Sequence, residues 1–179
     1  MTPAFTIIAG FNGGPPVWRF EVRLALPPMG QERSRSTASG HHYTPERTRE
    51  WERAASAAFW AAWRGPARLA RPDGGEEAVR YPSAVERQGY AGAVRATIEA
   101  EFPVPKKAKA EDVGAWFVGR PDADNVAKAT LDALVKSGVI VDDALVAELV
   151  VRKRLATRAS VLLVLEPLSG ATWPHRSKA

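Results

Sequence analysis

At 179 residues, with 45% hydrophobic and 25% charged side chains, the chain is sized for one compact domain with a sizeable core. It has no cysteine, which excludes disulfides, thiolate metal sites and cysteine nucleophiles, and its three histidines, His41, His42 and His175, do not form a helical ligand pair. The net charge of +5 points to an anionic partner. Its distribution is more telling: residues 1–72 carry ten basic and five acidic side chains, residues 73–151 nine and fourteen, and residues 152–179 six and one. Basic flanks around an acidic middle can hold a phosphate backbone beside divalent cations, though a solvated surface with chance asymmetry would look the same. No window approaches the roughly 18 apolar residues of a spanning helix, and the apolar start FTIIAGF has no basic region before it, so no membrane association and a cytoplasmic location are expected.

In chain order, Trp18–Leu26 alternates apolar and polar residues as a half-buried strand does, and Pro27 and Pro28 end it. Met29–Tyr43, rich in Ser, Gly and Arg, reads as a mobile basic loop. Thr44 and Pro45 form a helix start, with the hydroxyl as cap and the ring at the first helical position. Trp51, Ala54, Ala55, Ala58, Phe59, Ala62 and Trp63 then recur at helical spacing, up to a stop at Gly65-Pro66. The Pro- and Gly-rich stretch from Gly65 to Gly92 reads as a long surface excursion whose deletion should spare folding.

A second strand is expected over Ala93–Phe102, followed by a loop to Arg120 with a basic PKKAK tip and with Trp116 and Phe117 packed into the core. A helix near Asn125–Ser137 carries the apolar stripe Val126, Ala129, Ala133 and Leu134, and Gly138 can close it in a left-handed cap. Two strand-like runs, Ala147–Val151 and Val161–Leu165, suggest a hairpin, and the tail after Glu166 reads as disordered. The fold class is therefore α+β: one domain over residues 1–168, with a small mixed sheet of about four strands packed against two main helices.

The chemistry concentrates in RPDADNVAKATLDAL, Arg120–Leu134, and GVIVDDALV, Gly138–Val146. If Asp122 is extended, Asp122 and Asp124 project to one side with Cα atoms about 6.5–7 Å apart, and oxygen-only ligands favour Mg²⁺ or Mn²⁺ over zinc. Structurally, Asp124 could instead cap the helix, with Asp122 as an upstream turn residue. Asp142 and Asp143 lie just beyond the same helix. An extended return of four residues spans about 13 Å against about 16 Å for three helical turns, so the late acids can approach the early ones. Three carboxylates about 5 Å apart would repel by about 3 kcal/mol per pair at an effective dielectric of 20, which calls for cations. Otherwise Asp142-Asp143 is an acidic turn. Lys128, four residues after Asp124, can form an ordinary ion pair with it or neutralise charge on a phosphate. Asp132, further along, is expected to be solvated.

PDADNVAKATLDAL followed by GVIVDDALV resembles the signature of the RusA-type Holliday junction resolvases, in which Pro-Asp-x-Asp-Asn-x-x-Lys opens a helix and an Asp-Asp pair follows. The likeness is strongest over Arg120–Leu149. It is weaker around Arg33, Arg35 and Tyr43-Thr44-Pro45, and the 65–92 stretch finds no counterpart in the pattern. The resemblance implies a small homodimeric α+β endonuclease, often prophage-encoded, that cuts four-way junctions by paired nicks with Mg²⁺ or Mn²⁺. Carried over by position, the metal-binding carboxylates are Asp122, Asp124 and Asp143, the essential lysine is Lys128, and Asp142 ranks below Asp143. Asn125 matches the motif asparagine, which either contacts the DNA backbone, orients a carboxylate or simply starts the helix.

DNA contacts are expected from Arg33, Arg35, Lys106, Lys107, Lys109, Arg120 and Asn125, with Arg152–Arg154 as an addition. Symmetrical nicking of opposed strands needs a two-fold pair of subunits. Two other functions fit the composition: a branched-DNA-binding recombination factor that has lost cutting, and a metal-dependent phosphohydrolase of free nucleotides.

Overall fold

The structure, a computed structural model, describes residues 4–8, 17–30, 35–36, 42–43, 45–64, 67–70, 76–79, 90–107 and 109–168. Strict alternation becomes strand wherever one face can be buried. Val17–Leu24 forms β2, which buries Phe20, Val22 and Leu24, and Val94–Pro103 forms β7, which buries Val94, Ala96, Ile98, Ala100 and Phe102. The other strands are β1 (Ala4–Ile8), β3 (Arg35–Ser36), β4 (His42–Tyr43), β5 (Ala67–Ala70), β6 (Glu76–Val79), β8 (Val146–Ala156) and β9 (Ser160–Pro167). Two helices complete the α+β fold, α1 (Glu46–Trp63) and α2 (Ala123–Lys136).

The sheet runs in the order β6-β5-β1-β2-β9-β7-β8. The expected four-strand mixed core, β2-β9-β7-β8, is present, and β1, β5 and β6 extend it at one edge. β8 and β9 do not form the expected hairpin. β7 lies between them, parallel to β8 and antiparallel to β9. Parallel neighbours need a crossover of a dozen or more residues, and α2 with its flanking loops supplies it. The short turn between β8 and β9 mimics a hairpin in sequence, but β7 takes the place between them.

Both helices pack on one face of the sheet, where Trp51, Ala55 and Phe59 of α1 and Val126, Ala129, Ala133 and Leu134 of α2 meet the inward residues of β2, β7 and β9. Burying a side chain such as Phe59 stabilises the fold by about 1.5–3 kcal/mol. The opposite face is polar, with Arg19–Glu166 at 2.8 Å, Arg23–Glu101 at 2.5 Å and Arg95–Glu148 at 2.8 Å. Partly exposed pairs of this kind contribute about 0–1 kcal/mol each, so the apolar face dominates. Ser56 Oγ donates to the Ala133 carbonyl at 2.9 Å, joining the helices, and Trp51 Nε1 donates to Pro27 O at 2.9 Å, tying the end of the β2 segment to α1.

Several local expectations change. Pro45 occupies the N-cap of α1 with no side-chain cap bond, so the ring precedes the helix; Thr44 lies outside the described residues. Within 65–92, β5 and β6 join the sheet, and Tyr90 pairs with Ile140 through Tyr90 N–H to Val139 O at 2.8 Å and Val141 N–H to Tyr90 O at 3.2 Å. That stretch is thus partly built into the fold. Phe117 stacks on Phe102 with ring centroids 4.1 Å apart, whereas Trp116 is 61% exposed, its ring covered on one side by Arg154. Gly138 has the expected left-handed conformation, φ 74°, just after the α2 cap. The tail after Leu168 lies outside the described residues. Among the described residues, no helix is long and apolar enough to cross a membrane.

Candidate active site along helix α2

α2 begins two residues earlier than its apolar stripe requires. Asp122 is the N-cap, with extended backbone (φ −68°, ψ 156°), and its carboxylate makes no capping bond. Asp124 falls inside the first turn, where a negative charge complements the helix dipole. Asp124 is therefore not the cap. Lys128 follows one turn later on the same exposed face, with no ion pair to Asp124 among the described residues.

Asp122 and Asn125 line a cleft of about 430 Å³ together with Arg120, Pro121, Arg47 of α1 and the Pro28–Gly30 segment. Gly30 makes this approach possible, since a Cβ there would stand 2.4 Å from Pro121 Cβ. Arg47 is a residue that sequence reading misses. It lies on the exposed side of α1, and nothing in its local pattern separates it from neighbouring arginines.

Asp142 and Asp143 line a different cleft, of about 420 Å³, with Glu52 of α1 and with Asp132, Val135 and Lys136 of α2. Asp142 caps a short 3₁₀ turn, Asp143–Leu145, and its Oδ1 accepts from the Ala144 N–H at 2.8 Å. Asp143 is exposed and is not spent in this way. Glu52 is buried and ion-paired to Lys136. Burial raises the Asp132 carboxyl above its ordinary range, with Glu52 and Asp143 adding to the effect against Lys128 and Lys136. Asp132 is thus not simply solvated, as its sequence position suggests.

The two clefts lie at different levels of α2. Asp122 and Asp132 are ten residues apart, which along a helix is about 15 Å. Among the described residues, no group of three or more His, Asp or Glu is arranged to hold a metal ion. Asp122 and Asp143 thus line different clefts, and Asp124, two residues after Asp122, lines neither.

The expected DNA-contacting residues divide similarly. Arg120 is exposed in the Asp122 cleft, and Lys106 and Lys107 are exposed on the loop after β7. Lys109 is exposed and paired with Glu111 at 3.3 Å. Arg35 belongs to β3, paired with Tyr43 of β4, and Arg33 lies outside the described residues. Arg152 and Arg154 are engaged internally, by Glu99 at 3.3 Å and by Gly114 O at 3.1 Å.

The profile of the family Endodeoxyribonuclease RusA matches residues 76–166, just over half the chain. The chain belongs to the RusA endodeoxyribonuclease family. The match runs from β6 to β9 and takes in Asp122, Asp124, Asp142 and Asp143, whereas Pro28–Gly30 and Arg47 of one cleft and Glu52 of the other lie before it. It starts at Glu76, so part of the 65–92 stretch is RusA sequence after all. Among curated proteins, none matches the chain. RusA proteins are endodeoxyribonucleases of the Holliday junction resolvase type. The donor chemistry here suits a hard divalent cation. Asp122, Asp124 and Asp143 are exposed carboxylates with no hydrogen bond or ion pair among the described residues. Asp143, however, lines a different cleft from Asp122.

Proposed function

We propose that this protein is an active, metal-dependent resolvase that hydrolyses phosphodiesters in four-way or other branched DNA by paired nicks, and that it works as a homodimer. What carries the reading is that the acids in the family's motif positions, Asp122, Asp124 and Asp143, are exposed and unspent in a chain of this family.

Because Asp122 and Asp143 line separate clefts, the metal-binding set is completed across a two-fold axis, with Asp122 and Asp124 from one subunit and Asp143 from its partner. Bound Mg²⁺ or Mn²⁺ supplies Lewis-acid stabilisation of charge on the phosphate. Lys128, one turn beyond Asp124, neutralises charge that develops on the phosphodiester. Arg120 and Asn125, beside Asp122, hold the DNA backbone, and Lys106 and Lys107 draw it toward the site.

The test uses labelled four-way junction, linear duplex and free nucleotide, each with Mg²⁺ or with EDTA, beside an Asp122→Asn variant. Paired nicks on the junction are expected only with metal, falling by about a hundredfold or more in the variant while junction binding persists. Binding without cleavage by the unaltered protein would make it an accessory factor. Turnover of nucleotide alone would make it a phosphohydrolase.

A further inference from the structure

On one face of β8, Val151 and Leu155 pack against the core opposite Ile98 and Phe102 of β7, while Leu149, at the exposed start of the same row, stands opposite Ala96. Lys153 interrupts that row opposite Ala100. Its neighbours Arg152 and Arg154 project to the polar face, opposite Glu99 and Glu101, as alternation requires. A partly buried cation must recover its lost hydration from other groups. Lys153 does so by donating from Nζ to Gly119 O at 2.6 Å and to Pro121 O at 2.7 Å. The ammonium also lies 5.2 Å from the Phe117 ring centroid and 6.0 Å from that of Phe102.

These two carbonyls belong to the peptide groups that lead into Arg120 and Asp122. The same segment is held upstream against β8, by Gly114 N–H to Leu155 O at 2.8 Å and Phe117 N–H to Lys153 O at 2.9 Å. Gly30 closes on it from the other side, against Pro121. The segment is thus pinned by backbone on its flanks and by one side chain at its centre, while Arg120 and Asp122 remain exposed in the cleft.

We infer that Lys153 is a positioning residue: it sets the peptide planes on either side of the Arg120-Pro121 pair and so aims the Arg120 guanidinium and the Asp122 carboxylate into the cleft. It touches neither side chain and acts through the main chain. The inference rests on the reading of this cleft as part of a nuclease site. A lysine serves where an apolar residue would pack equally well, because only a donor can take both carbonyls at once.

The full chain is compared with Lys153→Met, which keeps the stem, and Lys153→Arg, which keeps charge and donors. Amide hydrogen exchange over Gly119–Ala123 should accelerate by about tenfold in Lys153→Met and recover in part in Lys153→Arg. On a four-way junction with Mg²⁺, kcat should fall by about tenfold to a hundredfold, with KM within about twofold. Unchanged exchange in Lys153→Met, or faster exchange with unchanged kcat, overturns the inference; so does a uniform rise in exchange across the molecule, which would mean a packing role. If Lys153→Met does not fold, Lys153→Leu, which also has no donor, is put to the same measurements and the same criteria. If the unaltered protein does not nick junctions, the nuclease reading fails by itself, and the exchange result alone decides whether Lys153 holds the segment.

Discussion

Asp122 and Asp142 are both caps, yet they are used differently. Asp142 gives an oxygen to the Ala144 N–H, which leaves Asp143 as the exposed member of its pair, whereas Asp122 occupies a cap position without making the bond. A carboxylate at a helix start that forgoes a bond worth about 1 kcal/mol is available for another ligand. Glu101 shows the opposite use of an acid. Burial pushes its carboxyl up, but hydrogen bonds from the Ser160 hydroxyl and Arg23, with the Arg23 charge, outweigh this and hold it below the ordinary range. A lowered native value stabilises the fold above the unfolded-state value and loses that contribution as pH falls through the native one. Glu101→Gln should therefore lower Tm at neutral pH, and the deficit should shrink below about pH 4. Thermal melts of both proteins across that range check it; a deficit that grows toward acid pH would contradict the assignment.

At the level of elements, α2 is the axis of the site, and what packs around it sets the geometry. Its first turn is reached by the Pro28–Gly30 segment, and its last turns by Glu52 of α1 and by the turn that Tyr90 holds at Val139 and Val141. A side chain at position 30 would force Pro121 away. Gly30→Ala is expected to cost about 1–3 kcal/mol of stability through overpacking. Chemical denaturation measures that cost. Junction nicking by Gly30→Ala should fall by more than the stability loss explains, at a temperature where both proteins remain folded. The Tyr90 contacts also reverse the expectation for the 65–92 stretch. Its deletion removes β5, β6 and Tyr90, so the melting temperature should drop, not hold, in a scan of the shortened chain.

For the whole molecule, the division of the acids between two clefts makes subunit pairing a catalytic question. On the proposed two-subunit site, an Asp122→Asn subunit paired with an Asp143→Asn subunit would have one composite site with both acids missing and one with both intact. Mixing the two inactive variants should therefore restore nicking, to roughly half the level per active dimer of the unaltered protein. Sites formed within single subunits would each keep one lesion, and no activity would return. The mixed sample is assayed on a labelled junction after subunit exchange, with its mass checked by sedimentation.

Much of this protein was legible locally. The run Asp122–Lys128, the alternation of β2 and β7, the apolar stripe of α2 and the left-handed Gly138 all depend on neighbours a few residues apart, and sequence alone determined them. It equally determined the family, because the motif is contiguous. Tertiary structure decided what no local pattern encodes. It placed β7 between β8 and β9, made strands of part of the 65–92 stretch, brought Arg47 into the cleft that Asp122 lines, turned Lys153 onto the Gly119 and Pro121 carbonyls and set Asp143 in the cleft of Asp132 instead of that of Asp122. The physical reason is common to these cases. Periodicity tells which face of an element is apolar, but the identity of the partner that covers the face follows from contacts between segments far apart in the chain, whose packing is settled only when the whole core closes.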